Sequence, residues 1–144
     1  MAKSGRYSAD RKKIEALSAD KTVEVADCGT IFTLDGTTAL TITLPSSAAA
    51  GRGWWCKFVL NADDNGTDHV ITRSSDDSNN IHVVGVTAAD GAAGQTSAST
   101  PQLKITLEGA NSEIGDQYEF ITDGEKWFLT AITAAADAFV DATS

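Results

Sequence analysis

Apolar and polar residues alternate with period two through most of the chain after Lys21. In TALTITLP, Leu40, Ile42 and Leu44 fall on one side and Thr41 and Thr43 on the other. In QLKITLE, Leu103, Ile105 and Leu107 oppose Lys104, Thr106 and Glu108, and in GDQYEFIT, Tyr118 and Phe120 oppose Gln117 and Glu119. Successive side chains of a strand point to opposite faces. This alternation, with threonine on the wet side, therefore predicts half-buried antiparallel strands. No segment of the body sustains a 3.6-residue period.

Nine strands are expected, over Thr22–Ala26, Gly29–Leu34, Ala39–Leu44, Trp54–Leu60, His69–Arg73, Ile81–Thr87, Leu103–Glu108, Asp116–Thr122 and Lys126–Thr133. Asp35-Gly36 and Asp123-Gly124 accept positive φ at low steric cost, and the second predicts a tight two-residue hairpin. Pro45 ends a strand because it has no N–H to donate. Ser46–Gly53 and Ala88–Pro101 read as loops rich in small residues, and Gly109–Gly115 as a shorter one. Short strands at near-regular spacing predict an all-β protein. The expected form is a two-sheet antiparallel sandwich of jelly-roll type with an extended N-terminal arm, or else a small barrel.

Composition sets the ends apart from the body. Alanine supplies 22 of the hydrophobic residues, and most of the large apolar side chains lie between Val23 and Ile132. The expected division is a basic N-terminal arm over 1–22, a β-sandwich over 23–132 and a C-terminal tail over 133–144. Within the arm, SADRKKIEAL has the makings of one or two helical turns capped by Ser8 or Asp10, with Ile14 and Leu17 as anchors. The tail offers only Phe139 and Val140 as large apolar residues, for a loose end or for docking on a neighbour. No apolar run approaches the roughly 18–20 residues of a membrane-spanning helix. The basic start is not followed by an apolar stretch, so no secretory signal is expected.

The 144 residues carry a formal net charge of −9. Residues 1–13 run against this, with Lys3, Arg6, Arg11, Lys12 and Lys13 opposed only by Asp10. A basic terminal block is either a solvated arm or one that orders on an acidic partner. The acidic body repels phosphates, which makes nucleic acid a poor partner.

A search for reaction chemistry selects nothing. Cys28, Cys56, His69 and His82 are too widely spaced for a structural zinc site, whose ligands come in close pairs. Cys56 alternates with Trp54, Phe58 and Leu60 and reads as a small core residue. Two free thiols are expected. There is no nucleophile elbow and no phosphate-binding loop, and GRGW (Gly51 to Trp54) precedes a strand rather than a helix. Asn61 to Gly66 imitates the start of a calcium loop, but Thr72 stands where a bidentate Glu is needed, so an acidic hairpin turn is expected. Nothing selects a glycosidase pair among twenty carboxylates. The expectation is a non-enzyme with no cofactor and no metal.

The tryptophans say more. Trp54 and Trp55 are adjacent on a strand and must face opposite sides. With Trp54 in the core, Trp55 points outward beside Lys57. It lies under a loop or the N-terminal segment, anchors a protein–protein interface, or serves as a sugar platform. Trp127 reads as core or hairpin packing.

GTIFTL (Gly29–Leu34), TITLP (Thr41–Pro45), AGRG (Ala50–Gly53), KFVL (Lys57–Leu60) and GDQYEFITDGEKW (Gly115–Trp127) occur in that order. This ordered set resembles small all-β structural proteins of tailed bacteriophages, of the capsid decoration or cement type. The resemblance spans roughly residues 23–132. It implies a homo-oligomer, dimer or trimer, that binds the outer surface of the capsid and reinforces it. It also implies the major capsid protein as partner, a place on the virion after synthesis in the bacterial cytoplasm, and no catalytic residues, nucleic acid or membrane. In that role Lys3, Arg6, Arg11, Lys12 and Lys13 would form a capsid-binding arm, with Trp55 as an apolar interface anchor. The same motifs occur in tail-fibre modules, so a tail-fibre or carbohydrate-binding β module is the alternative. A cell-wall hydrolase is a third class, and would need a cleft with perturbed titratable groups.

Overall fold

The computed structural model of the protein describes residues 11–35, 37–62, 66–87 and 100–142. Its strands are β1 (Lys13–Leu17), β2 (Lys21–Thr22), β3 (Thr30–Leu34), β4 (Thr41–Thr43), β5 (Trp55–Leu60), β6 (His69–Thr72), β7 (Ile81–Thr87), β8 (Lys104–Leu107), β9 (Gln117–Thr122), β10 (Trp127–Thr133) and β11 (Phe139–Ala142). A 3-10 turn covers Val25–Asp27 and a one-turn helix, α1, covers Ser47–Ala50. The protein is all-β, in two sheets. A six-stranded sheet has the order β1-β3-β5-β9-β10-β7, and a five-stranded sheet the order β11-β8-β6-β4-β2.

The first six strands alternate between the sheets. β1, β3 and β5 pair in parallel in the larger sheet, and β2, β4 and β6 pair in parallel in the smaller. The chain thus winds three times round a shared core, as in a flattened β-solenoid. After β6 the winding stops. β8 and β11 add antiparallel to the smaller sheet, β9 and β10 run antiparallel from β5, and β7 closes the larger sheet parallel to β10. Both sheets are therefore mixed, which corrects the expected antiparallel pairing. A jelly roll is antiparallel throughout, and the wound half is not. Alternation says which face a residue takes, not which way the neighbouring strand runs. Parallel neighbours need a crossover, and here a strand of the opposite sheet supplies it.

Inward side chains of both sheets merge into one cluster that includes Phe32, Leu34, Ile42, Phe58, Ile71, Ile105, Tyr118, Phe120, Trp127 and Phe139. Phe32 stacks on Phe58 at 5.3 Å between centroids, and Phe58 meets Phe120 edge-on at 5.8 Å. Tyr118 on β9 meets Phe139 on β11 at 5.9 Å and so ties one sheet to the other. Each large side chain buried this way contributes about 1.5–3 kcal/mol from removal of apolar area from water.

Four local expectations change. The segment expected to form a short helix holds strand β1, in parallel register with β3 from Lys13↔Thr30 to Leu17↔Leu34. Its few apolar residues gain more from the open sheet edge than from a solitary helical turn. Thr22–Ala26 is not a strand beyond Thr22. The chain turns over Val25–Asp27, where the Asp27 carboxylate accepts the Glu24 N–H at 2.9 Å. The tail over 133–144 contains β11, whose Phe139 is buried in the protein's own core. The Ser46–Gly53 loop holds α1, capped by Ser46 Oγ accepting from the Ala49 N–H at 3.1 Å. The β9–β10 hairpin is present, with Gly124 at φ 97°. Its centre is Gly124-Glu125, because Trp127 is in register with Thr122 and the Asp123 N–H donates to the Lys126 carbonyl at 3.3 Å; the Asp123 carboxylate also accepts the N–H groups of Glu125 at 2.9 Å and Lys126 at 2.8 Å. Gly36, the Asp63–Asn65 part of the calcium-like turn, and 88–99 of the Ala88–Pro101 loop lie outside the described residues.

Candidate interaction surface

The two outer faces differ in chemistry. The smaller sheet shows a face built largely of threonine. Thr41, Val70, Thr106 and Val140 are in register across it, as are Thr22, Thr43, Thr72 and Lys104. The larger sheet shows an apolar face. One row runs Trp55, Ile121, Phe128, His82, and the next runs Ile14, Ile31, Lys57, Glu119, Thr130, Val84. Of the large apolar residues exposed among those described, Ile14 (64%), Val84 (57%), Ile132 (48%), Ile121 (42%) and Phe128 (41%) all lie on this one face. Scattered single apolar residues are ordinary on a surface, whereas a contiguous group marks a contact area.

Trp55 sits on this face, as its alternation with the buried Trp54 and Cys56 requires. Gly29 stands beside it in the turn that leads into β3, and its N–H donates to the Trp55 carbonyl at 2.8 Å. The Lys12 ammonium lies 5.4 Å from the Trp55 ring centroid, within range of a cation–π contact. Lys12, Ile31, Trp55, Lys57, Glu119 and Ile121 line a shallow groove of about 230 Å³. Across its floor Lys57 Nζ lies 3.6 Å from Glu119 Oε2 and donates to Gln117 Oε1 at 3.4 Å.

Of the five basic residues expected to form a binding arm, Lys3 and Arg6 lie outside the described residues. Arg11 is exposed. Lys12 reaches over Trp55, and Lys13 opens β1 with its ammonium 3.5 Å from Asp27 Oδ1 and 3.8 Å from Glu15 Oε2. The structure thus brings Lys12 and Trp55 together and commits Lys13 to contacts within the chain. Sequence reasoning missed Ile14, Val84, Ile121, Phe128 and Ile132. The available signal was apolar residues at both phases of a strand: WFLTAIT carries Phe128 and Ile132 against Trp127, Leu129 and Ala131.

The reactive residue types are dispersed. Cys28 is exposed, Cys56 is buried, and both are free. Burial pushes the Cys56 thiol well up, which keeps it protonated and unreactive. His69 is buried, with Nδ1 accepting from the Leu40 N–H at 3.2 Å, while His82 lies against Phe128 on the apolar face. Ser47 Oγ is shared among Asp77, Asn80 and the Glu125 carbonyl, a set that pins α1 to the β9–β10 hairpin. Among the described residues no three His, Cys, Asp or Glu side chains gather as metal ligands. No described helix is long and apolar enough to cross a membrane. No family model, curated protein or solved structure matches this chain.

Proposed function

We propose that this is a non-catalytic assembly protein that binds the outer surface of a tailed-phage capsid and reinforces it, acting as a homo-oligomer on the major capsid protein. The observation that carries the self-association in this reading is the apolar outer face of the six-stranded sheet around Trp55. Its chemistry is that of a protein contact. The shell half comes from the ordered motifs, which supply β3, β4, the end of α1, β5 and the β9–β10 hairpin. On a repeating lattice each contact is modest and the copies act together. Binding the assembled shell and not its detached subunits stabilises the shell by mass action. Lys3, Arg6 and Arg11 supply charge to the acidic partner, and they contribute most where bidentate arginine contacts form.

The test is to count this chain by quantitative mass spectrometry in purified phage particles from cells that carry its gene. Hundreds of copies per particle support the shell assignment. A handful moves the protein to a tail fibre, and absence from particles overturns the reading.

A further inference from the structure

We infer that the apolar face of the six-stranded sheet is covered by the same face of a second copy, related by a two-fold axis parallel to the strands. The inference deepens the assembly reading and shares its premise that this face binds protein. Three observations select that occupant.

The first is position. In the order β1-β3-β5-β9-β10-β7, strands β5 and β9 are the central pair. Lys57 and Glu119 are register partners on those strands, so they sit at the centre of the face. The second is charge. A face-to-face dimer needs its two-fold axis in the interface plane. An axis along the strands lays β5 of one copy on β9 of the other, so each Lys57 meets Glu119 of the second copy. An axis across the strands lays each strand on itself and sets Lys57 against Lys57. The first arrangement is self-complementary and the second is repelled. The same axis sets Trp55 against Ile121. The third is size. Six strands about 4.8 Å apart and about 20 Å long present roughly 500–600 Å² per copy, at the small end of specific interfaces. Two packed sheets settle about 30° apart, which spreads the corners but keeps the central contacts.

The experiment measures mass by sedimentation equilibrium up to about 200 μM, with circular dichroism as the check on folding. Wild type is expected to dimerise, with a micromolar dissociation constant. Lys57→Glu alone and Glu119→Lys alone should each weaken the dimer at least tenfold, and an equimolar mixture of the two should restore it. The pair within one chain cannot rescue a mixture, so that result isolates the contact between copies. The double variant Lys57→Glu/Glu119→Lys should dimerise with itself and exclude wild type. A monomeric wild type, single variants that dimerise unchanged, or a double variant that prefers wild type would each overturn the inference. Attachment to phage particles is scored separately. A monomer that still binds particles sinks this inference alone, and a dimer that fails to bind them sinks the shell reading alone.

Discussion

Lys21 reaches Glu15 across the gap between the two sheets, Nζ to Oε1, at 3.1 Å. Both side chains occupy inward positions, since Glu15 is in register with Phe32 and Lys21 with Ile42. Further along the wound core those positions hold apolar residues, whereas here they hold opposite charges. Asp27 joins them, 3.6 Å from Lys21 and 3.5 Å from Lys13, and the Lys21 ammonium lies 5.7 Å from the Phe32 ring centroid. The first coil therefore ends in a charged cap. Terminal units of a solenoid need a polar end, and inward charges on an edge strand oppose further strand addition.

The cap makes stability pH-dependent at both extremes. Burial pushes the Asp27 carboxyl up, but the Glu24 N–H and the Lys21 and Lys13 charges outweigh it, so its net position is below 3.8. A depressed carboxyl stabilises the fold fully above 3.8, and that contribution disappears as pH falls through the folded value. The Glu15 hydrogen bond raises Lys21; burial opposes this, and the Asp27 and Glu15 charges add to the rise above 10.5. Its contribution is complete below pH 10.5 and is lost above it. Melting temperature followed from pH 5 down to pH 2 should fall less steeply in Asp27→Asn than in wild type. Identical acid limbs would refute the assignment.

Gly109 should not tolerate a side chain. A Cβ there would collide with the backbone of Thr67, and the Gly109 N–H is already held by Asp68 Oδ1 at 2.9 Å. Gly109→Ala should cost about 1–3 kcal/mol by overpacking. Urea denaturation would read this as a lower midpoint at unchanged slope.

Trp55 and Trp127 should respond in opposite ways. Trp127 is fully buried and meets Trp54 edge-on at 5.5 Å, so Trp127→Ala should cost about 3–5 kcal/mol of stability. Trp55→Ala should cost about 1 kcal/mol in the free protein while weakening self-association and particle attachment. Calorimetry and binding measured on the same samples separate the two. A large thermal loss for Trp55→Ala would make it a folding residue.

The thiols should differ in accessibility. Cys28 is exposed and Cys56 buried. Native protein should take up one equivalent of iodoacetamide quickly, at Cys28, and the second only on unfolding. Peptide mapping that finds Cys56 labelled first would contradict the burial.

Deleting residues 1–10 should leave the fold intact, because β1 begins at Lys13 and Lys12 already lies over Trp55. If Lys3 and Arg6 contribute charge to the partner, particle attachment should weaken in the truncated chain and lose part of its salt sensitivity. Equal occupancy with and without the segment would remove it from the contact.

Much of the β structure was legible in local pattern. Ile81–Thr87 was bounded as observed, and the inward residues of β3, β5, β9 and β10 follow from alternation within each strand. Trp55 was legible as outward-facing for the same reason. Such information travels with the chain, because each side chain's face depends only on its immediate neighbours.

What only the tertiary structure decided is who stands beside whom. Ile14 was an anchor for a helix in isolation, and it becomes an exposed strand residue because β3 offers an edge. Phe139 looked like a tail residue until Tyr118, on the other sheet, gave it a partner. The central Lys57–Glu119 pair and the apolar rows around it are assembled from β1, β3, β5, β9, β10 and β7, whose members lie far apart in the chain. Periodicity carries no record of strand direction or order. Those are set by long-range pairing and by burial of a common core, which no local window contains.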